Sequence, residues 1–353
     1  MAKLRIGMVG AGNICHAHLG EYAKNPNVEL AAICDIDFAK CNRTADQYNI
    51  PKRYASVQEM LANEQLDAAD VCVWNCAHAE CAIAALNAGL DVLCEKPMAM
   101  NATEAQAMLD AANKNGKLLM LGFVTRFSDE AVIAKDFIDK GYLGDIYYSK
   151  ATYLRRNGNP GGWFSDKARS GGGPLIDIGV HPLDLTRYLM GNPKPVSVYA
   201  VTSDLLHEDR AALKTNVGWF PEPDGRKPVC DVESNVTGII RYANGASTLL
   251  EASYALNCET KGERSLYGTK GGICLDTMEI RSEMNGFMTD VKLADLNTYR
   301  DKKPMFQREM DHFVDCCLNH VPCMSPAEDG VTIMKILDAL YESARTGKSV
   351  ELD

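Results

Sequence analysis

Leu4-Arg5-Ile6-Gly7-Met8-Val9 runs directly into Gly10-Ala11-Gly12-Asn13-Ile14-Cys15, and an amphipathic stretch continues to about Asn25. An apolar strand, a glycine turn and a helix in that order open a βαβ unit, which commits the chain to a parallel sheet with crossover helices. Gly10 permits the tight turn. Gly12 lets the backbone come close to a pyrophosphate, which the amides of Asn13 and Ile14 at the helix N-terminus can then hydrogen-bond. Cys15 stands where a third small residue is needed, and it is small enough for close helix-strand packing. Val28 to Cys34 reads as the second strand and delivers Asp35 to its end. A carboxylate there accepts hydrogen bonds from an adenosine ribose and repels a 2′-phosphate, so the expected cofactor is NAD and not NADP. Ile36 to Ala39 holds no arginine to offset that charge. A plain helix-capping aspartate is the other reading of the same residue.

The alternation continues with a capping box at Ser56-Val57-Gln58-Glu59, a strand over Val71-Cys72-Val73-Trp74 and a helix from Glu80 to Asn87 ended by Gly89. Asn75 and His78 follow the strand that ends at Trp74 and are expected as cofactor contacts, although His78 reads equally as an inert residue of the next helix. Then comes Asp91-Val92-Leu93-Cys94-Glu95-Lys96-Pro97-Met98. Val92 to Cys94 reads as a buried parallel strand, which puts Glu95 and Lys96 at its carboxyl end, where open α/β sheets bind ligands. Pro97 fixes its own φ and permits a cis bond to Lys96. An exposed Glu-Lys-Pro turn is the plain alternative. Thr103-Glu104-Ala105-Gln106 is expected to cap a helix that stops at Gly116, with a strand over Leu118 to Leu121 and a helix from Glu130 to Lys140 after it.

Near Gly144 the period changes. Asp145 to Leu154, Val196 to Val201, Asn235 to Tyr242, Ala246 to Tyr254, Arg264 to Tyr267 and Met288 to Leu293 alternate in polarity, with turn residues such as Asn244-Gly245 between some of them. A chain of 353 residues exceeds one core. The predicted fold class is α/β: a doubly wound parallel Rossmann sheet over residues 1–122, followed by an α+β domain over 123–353 whose sheet is open-faced and mostly antiparallel. The last helices, Phe306 to Asn319 and Pro326 to Thr346, are expected to pack back on the first domain. An open sheet face invites a second copy, so a homodimer or homotetramer is expected through it.

Net charge is −10 with no basic cluster, which argues against nucleic acid and anionic membranes as partners and leaves small molecules. Thirteen cysteines make an odd count without a Cys-x-x-Cys pair and read as buried reduced thiols. The start lacks a signal-like apolar region and no run of eighteen apolar residues occurs, so a cytoplasmic location is expected.

A second constellation lies in Gly171-Gly172-Gly173-Pro174-Leu175-Ile176-Asp177-Ile178-Gly179-Val180-His181-Pro182-Leu183-Asp184. Glycines and a proline break the chain before a helix on which Asp177 and His181 are four apart and share a face, with Asp184 three further on. A carboxylate that orients an imidazole is what a general base needs. A surface histidine among acidic neighbours is the plain alternative. Metal binding is not expected, because no third ligand stands at metal spacing.

Taken together, Gly10-Ala11-Gly12-Asn13-Ile14, Glu95-Lys96-Pro97 and Gly172-Gly173 with Asp177, His181 and Asp184 resemble the glucose-fructose oxidoreductase, inositol dehydrogenase and rhizopine-catabolism (Gfo/Idh/MocA) family over almost the whole chain. The resemblance implies hydride transfer between NAD and a secondary hydroxyl of a carbohydrate or polyol: an inositol, a sugar or a glycoside, with C3 as one candidate position. It makes Lys96 the catalytic lysine and Asp177 and His181 the acid-histidine pair. His181 would take the hydroxyl proton, Asp177 orient it, and Lys96 hold the reacting oxygen beside the nicotinamide, Glu95 contacting the nicotinamide ribose. Arg155, Arg156, Asn157 and Trp163 offer donors and a flat surface to the substrate or, for Trp163, to the cofactor; Arg126 is a lesser candidate that also reads as a surface cation. The chain departs from the family pattern where only Asn75 remains of a Thr-Pro-Asn, after Trp74, and where Phe306 replaces a frequent tyrosine. Two other functions share these residues: a glycosidase that oxidises C3 transiently, and a non-catalytic NAD-sensing regulator.

Overall fold

A computed structural model describes residues 3–206, 225, 227, 229–293 and 303–353. The chain divides into two compact units, one of Met1–Phe127 with Lys303–Met334 and one of Ser128–Lys302 with Lys335–Asp353.

The first unit holds a six-stranded sheet built from β1 (Leu4–Val9), β2 (Val28–Cys34), β3 (Lys52–Tyr54), β4 (Ala68–Val71), β5 (Asp91–Glu95) and β6 (Leu119–Gly122), in the order β3-β2-β1-β4-β5-β6. Every pair in it is parallel. The connections are α1 (Asn13–Tyr22), α2 (Phe38–Tyr48), α3 (Val57–Asn63), α4 (Asn75–Asn87) and α5 (Ala102–Asn115). β4 and β6 are buried at every position, as strands with helices on both faces must be. From the far end of the chain, α9 (Met305–Asn319) buries Met310, Phe313 and Val314 in the same core as Ile6, Met8, Cys15 and Leu19. Each such side chain contributes about 1.5–3 kcal/mol of burial, and just past α9 the chain bonds to β6 as well, Leu121 N donating to the Ser325 carbonyl at 2.9 Å.

Several boundaries differ from the sequence reading. β4 ends at Val71, not Trp74; Trp74 is the N-cap of α4, so Asn75 opens that helix five residues before the predicted start at Glu80. Asn101, not Thr103, caps α5, its side chain accepting from the Glu104 amide at 2.9 Å. Asparagine leads the capping scale, so it wins over a threonine two positions later. The Ser56 cap forms as read, accepting from Glu59 N at 3.1 Å.

The second unit holds α6 (Asp129–Asp139), α7 (Lys167–Ser170), α8 (Val180–Leu189) and a nine-stranded sheet. Its strands are β7 (Ile146–Leu154), β8 (Pro195–Ser203), β9 (Asn235–Tyr242), β10 (Ser247–Ser253), β11 (Lys261–Gly268), β12 (Gly271–Cys274), β13 (Glu279–Met284), β14 (Phe287–Lys292) and β15 (Val350–Glu351). They lie in the order β14-β13-β12-β11-β7-β10-β9-β8-β15, and all pairs are antiparallel except β7 with β10. Ala131, Ala134, Leu185 and Leu189 of α6 and α8 cover one face, packing with Leu266, Ile273 and Ile280. Among the described residues the other face is open at β8 and β9: β9 alternates buried and exposed, and Tyr199, Val201 and Ile239 are 46–55% exposed. β12 and β13 were not legible, because two glycines open β12 and β13 buries only Ile280. The last helix, α10 (Ala327–Thr346), carries the boundary between the units, which falls after Met334.

Among the described residues no helix is long and apolar enough to cross a membrane. All thirteen cysteines are free thiols; most are at least half-buried, but Cys76 and Cys230 are exposed, contrary to the uniform burial expected.

Candidate active site

The glycine turn between β1 and α1 has the shape that a dinucleotide needs. Gly10 has φ +97°, and a Cβ there would stand 2.4 Å from the Cys72 carbonyl oxygen, so only glycine fits. Gly12 is the N-cap of α1 with no side chain over the helix end, and Asn13 and Ile14 are its first residues, their amides heading the helix. Asp35 lies half-exposed just past β2. Its Oδ2 accepts from Ala11 N at 2.7 Å and its Oδ1 from Asp37 N at 2.7 Å, so the carboxylate ties the glycine turn to the second strand and is fixed in direction. Each oxygen keeps a lone pair for a ribose hydroxyl. An open helix N-terminus, a cradle that a Cβ would fill and a fixed carboxylate together fit NAD.

Lys96 follows the last residue of β5 and is half-buried, and its peptide bond to Pro97 is cis. Glu95, expected at the nicotinamide ribose, is buried instead, at 6% exposure. Its Oε2 accepts from the Lys96 amide at 2.9 Å and its Oε1 faces His18 Nε2 at 3.1 Å. Burial pushes this carboxyl up, but the His18 bond and charge, with Lys96, outweigh it and hold it below the usual range. His78, expected at the cofactor, is likewise turned inward: Nδ1 lies 2.7 Å from the Pro97 carbonyl and Nε2 3.1 Å from that of Val73. Burial keeps its pKa below the ordinary value. It therefore braces the Lys96-Pro97 turn. Asn75 is buried at the start of α4. Arg126 is no surface cation: it is 1% exposed and donates to the Met324 carbonyl at 2.6 Å and Asp329 Oδ2 at 2.9 Å.

In the second unit Asp177 sits in a π-wound turn, Leu175–Gly179, that leads without a break into α8, where His181 is the second residue. Hydrogen bonds running i→i+5 often mark functional helix segments. Gly173 makes this entry possible, since a Cβ there would stand 2.4 Å from the Glu233 carbonyl. The Glu233 side chain accepts from Gly173 N at 2.9 Å and Leu175 N at 3.1 Å, and from the Tyr341 hydroxyl at 3.0 Å. A half-buried acid thus satisfies the amides that the glycines expose. Tyr254 donates to Asp177 Oδ2 at 2.7 Å and fixes that carboxylate; burial and the Asp177 charge push the phenol well above its ordinary pKa, so it stays a donor. Asp184 is buried one turn on. Arg155 donates to the Gly158 carbonyl at 3.0 Å and the Tyr153 hydroxyl at 3.3 Å, which shapes the loop holding Arg156 and the buried Asn157. Trp163 stacks on Phe164 with centroids 3.8 Å apart.

Tyr254, Glu233 and His18 escaped the sequence reading because their partners lie 52 to 108 residues away. One signal was present: Asp70 is a charged residue inside the apolar run Ala68-Ala69-Asp70-Val71, and a buried carboxylate requires a partner.

Residues 4–123 match the family model described as the oxidoreductase family with an NAD-binding Rossmann fold, and residues 132–274 match the GFO/IDH/MocA C-terminal domain. The chain is 34% identical to D-glucoside 3-dehydrogenase of Escherichia coli K12, over 99% of this chain and 98% of that one. It is 36% identical to inositol 2-dehydrogenase of Salmonella paratyphi B, over 98% and 96%. Among solved structures, levoglucosan dehydrogenase in complex with NADH and L-sorbose superposes with a TM-score of 0.85 at 25% identity, covering 100% of both chains.

Proposed function

The chain belongs to the Gfo/Idh/MocA family and is an NAD-dependent oxidoreductase; we propose that its substrate is a carbohydrate or polyol secondary hydroxyl, with C3 of a D-glucoside as the favoured position. The observation that carries this reading is the likeness to a D-glucoside 3-dehydrogenase over 99% of this chain and 98% of that one; the comparable likeness to an inositol 2-dehydrogenase keeps a polyol within the same reading. Bound NAD supplies the acceptor for the electron pair of a carbinol C–H bond. The Lys96 ammonium donates to the substrate oxygen and stabilises the charge that develops on it. His181 takes the hydroxyl proton, and Asp177, itself held by Tyr254, orients the ring. Asn75 lies beside the cofactor, Trp163 offers it a flat face, and Arg155 and Asn157 bind sugar hydroxyls.

The test is a panel of methyl β-D-glucopyranoside, p-nitrophenyl β-D-glucopyranoside, D-glucose and myo-inositol with NAD, read as NADH absorbance and as ketone product. NADH with a 3-keto glucoside is expected. Turnover of myo-inositol alone would move the reading to the second relative's substrate, nitrophenol release without net NADH to the glycosidase, and NAD binding without any turnover to a regulator.

Asp35→Ala is expected to weaken NAD about tenfold in Kd, about 1.4 kcal/mol, and to bring NADP within about tenfold of NAD, since the repulsion of a 2′-phosphate goes with the carboxylate. Fluorescence titration with the reduced nucleotides, NADH and NADPH, measures both. The open sheet face carrying Tyr199, Val201 and Ile239 is proposed to pack on a second copy, giving a dimer or tetramer. A particle of 38.7 kDa in light scattering would refute it.

A further inference from the structure

The first unit contains a buried cluster of ionisable groups that no step above uses. His18, on α1, is fully buried. Its Nδ1 lies 2.8 Å from Asp70 Oδ2, on β4, and its Nε2 lies 3.1 Å from Glu95 Oε1, the last residue of β5. Cys72, just past β4, donates to Asp70 Oδ1 at 3.3 Å. From the other side α9 places Phe306 against the His18 ring, centroids 5.9 Å apart, and brings in Glu309, which is fully buried with no hydrogen-bond partner for either carboxylate oxygen among the described residues.

An imidazole whose two nitrogens each face an ionised carboxylate can satisfy both only as an imidazolium with two N–H donors. Burial alone would push His18 down, yet Asp70 and Glu95 outweigh it and raise its pKa well above the ordinary value. Glu309 goes the opposite way to an ordinary carboxyl. Burial raises it, and Glu95 and Asp70 add to that against the pull of His18, which favours its neutral form. One cation between two anions, beside a neutral acid, leaves a single net charge in the interior. An additional ionised carboxylate would be far costlier.

The cluster joins two functional elements. His18 rides on the helix whose first turn would meet the pyrophosphate of a bound NAD, and Glu95 holds the amide of Lys96 at 2.9 Å. We propose that His18 is a positioning residue for Lys96, acting as an imidazolium strut that locks the Glu95 carboxylate and, through it, the turn that presents the lysine. This rests on the role given to Lys96, and the experiment separates the two.

The groups facing His18 among the described residues are Asp70 and Cys72 from the β4 end, Glu95 from β5 and Glu309 from α9; Tyr22 on α1 stands near Asp70 and is a neutral phenol, pushed up by burial and by the Asp70 charge. Removing the Glu95 charge with Glu95→Gln must therefore weaken the imidazolium. The His18 ring nitrogens are followed by two-dimensional 15N NMR across pH 6 to 10 in the wild-type protein and in Glu95→Gln. Both nitrogens are expected to carry protons at pH 8 in the wild type, and the titration to move to lower pH in the variant. A wild-type His18 that is neutral at pH 8 overturns the proposal without reference to any substrate.

The kinetic arm uses His18→Gln with NAD and the best substrate of the panel, at a temperature where circular dichroism shows the variant folded. It is expected to lose about tenfold to a hundredfold in kcat with KM for NAD within about threefold, because a displaced lysine costs the reaction and not the nucleotide. The alkaline limb of kcat in Glu95→Gln is expected to shift with the His18 titration. Unchanged kcat in folded His18→Gln, or a limb that stays while the titration moves, refutes the strut. If instead Lys96→Ala turns over normally, it is the role of Lys96 that fails.

Discussion

Lys96→Ala is expected to lower kcat about a thousandfold, about 4 kcal/mol of transition-state stabilisation, while NAD binds within about tenfold of the wild type. The reasoning is one of timing. The substrate oxygen is a neutral hydroxyl when it binds and gains negative charge only as its proton and the C–H electron pair leave. A cation there stabilises the transition state far more than the ground state, so its loss falls on kcat. Lys96 follows the last residue of β5 and is half-buried. A folded, NAD-competent and inactive protein is the expected result of its truncation. Steady-state kinetics beside fluorescence titration of NADH measure the split. Loss of NADH binding with unchanged kcat would make Lys96 a cofactor ligand instead.

His181→Asn is expected to cost about 10² to 10⁴-fold in kcat/KM, the range for removing a positioned general base. Asparagine keeps a polar group of similar reach but cannot accept the proton at neutral pH. The acid limb of the wild-type pH profile, set by the group that receives the proton, is expected to vanish in the variant, leaving a rate that climbs with hydroxide. A variant that keeps the wild-type limb would assign the proton to another group. Asp177 is held by Tyr254 independently of His181, so the helix entry has no reason to unravel when the imidazole is removed.

Much of the fold was legible because its signals are local. An apolar run followed by Gly10-Ala11-Gly12 can be read within nine residues, and so can the apolar β5 delivering Glu95 and Lys96. The period change near Gly144 identified the second sheet. Where signals compete locally, the reading slipped: Trp74 looked like strand but caps a helix, and Asn101 displaced Thr103 as cap. What sequence could not show is pairing at long range. Glu95 was placed at a ribose, yet its carboxylate is claimed by a histidine 77 residues earlier in the chain. His78 likewise serves the backbone of its own site. In both cases the residue has partners inside the first unit that only the distances in the fold reveal.

The most direct test follows an atom. Methyl β-D-glucopyranoside carrying deuterium at C3 is oxidised with NAD, and the reduced nucleotide is recovered and examined by mass spectrometry and NMR. One deuterium at the nicotinamide C4 for each ketone formed, with slower turnover than the protio sugar, is what a direct transfer from that carbon requires. Deuterium kept in the sugar product or lost to water, with protium in the nucleotide, would contradict it.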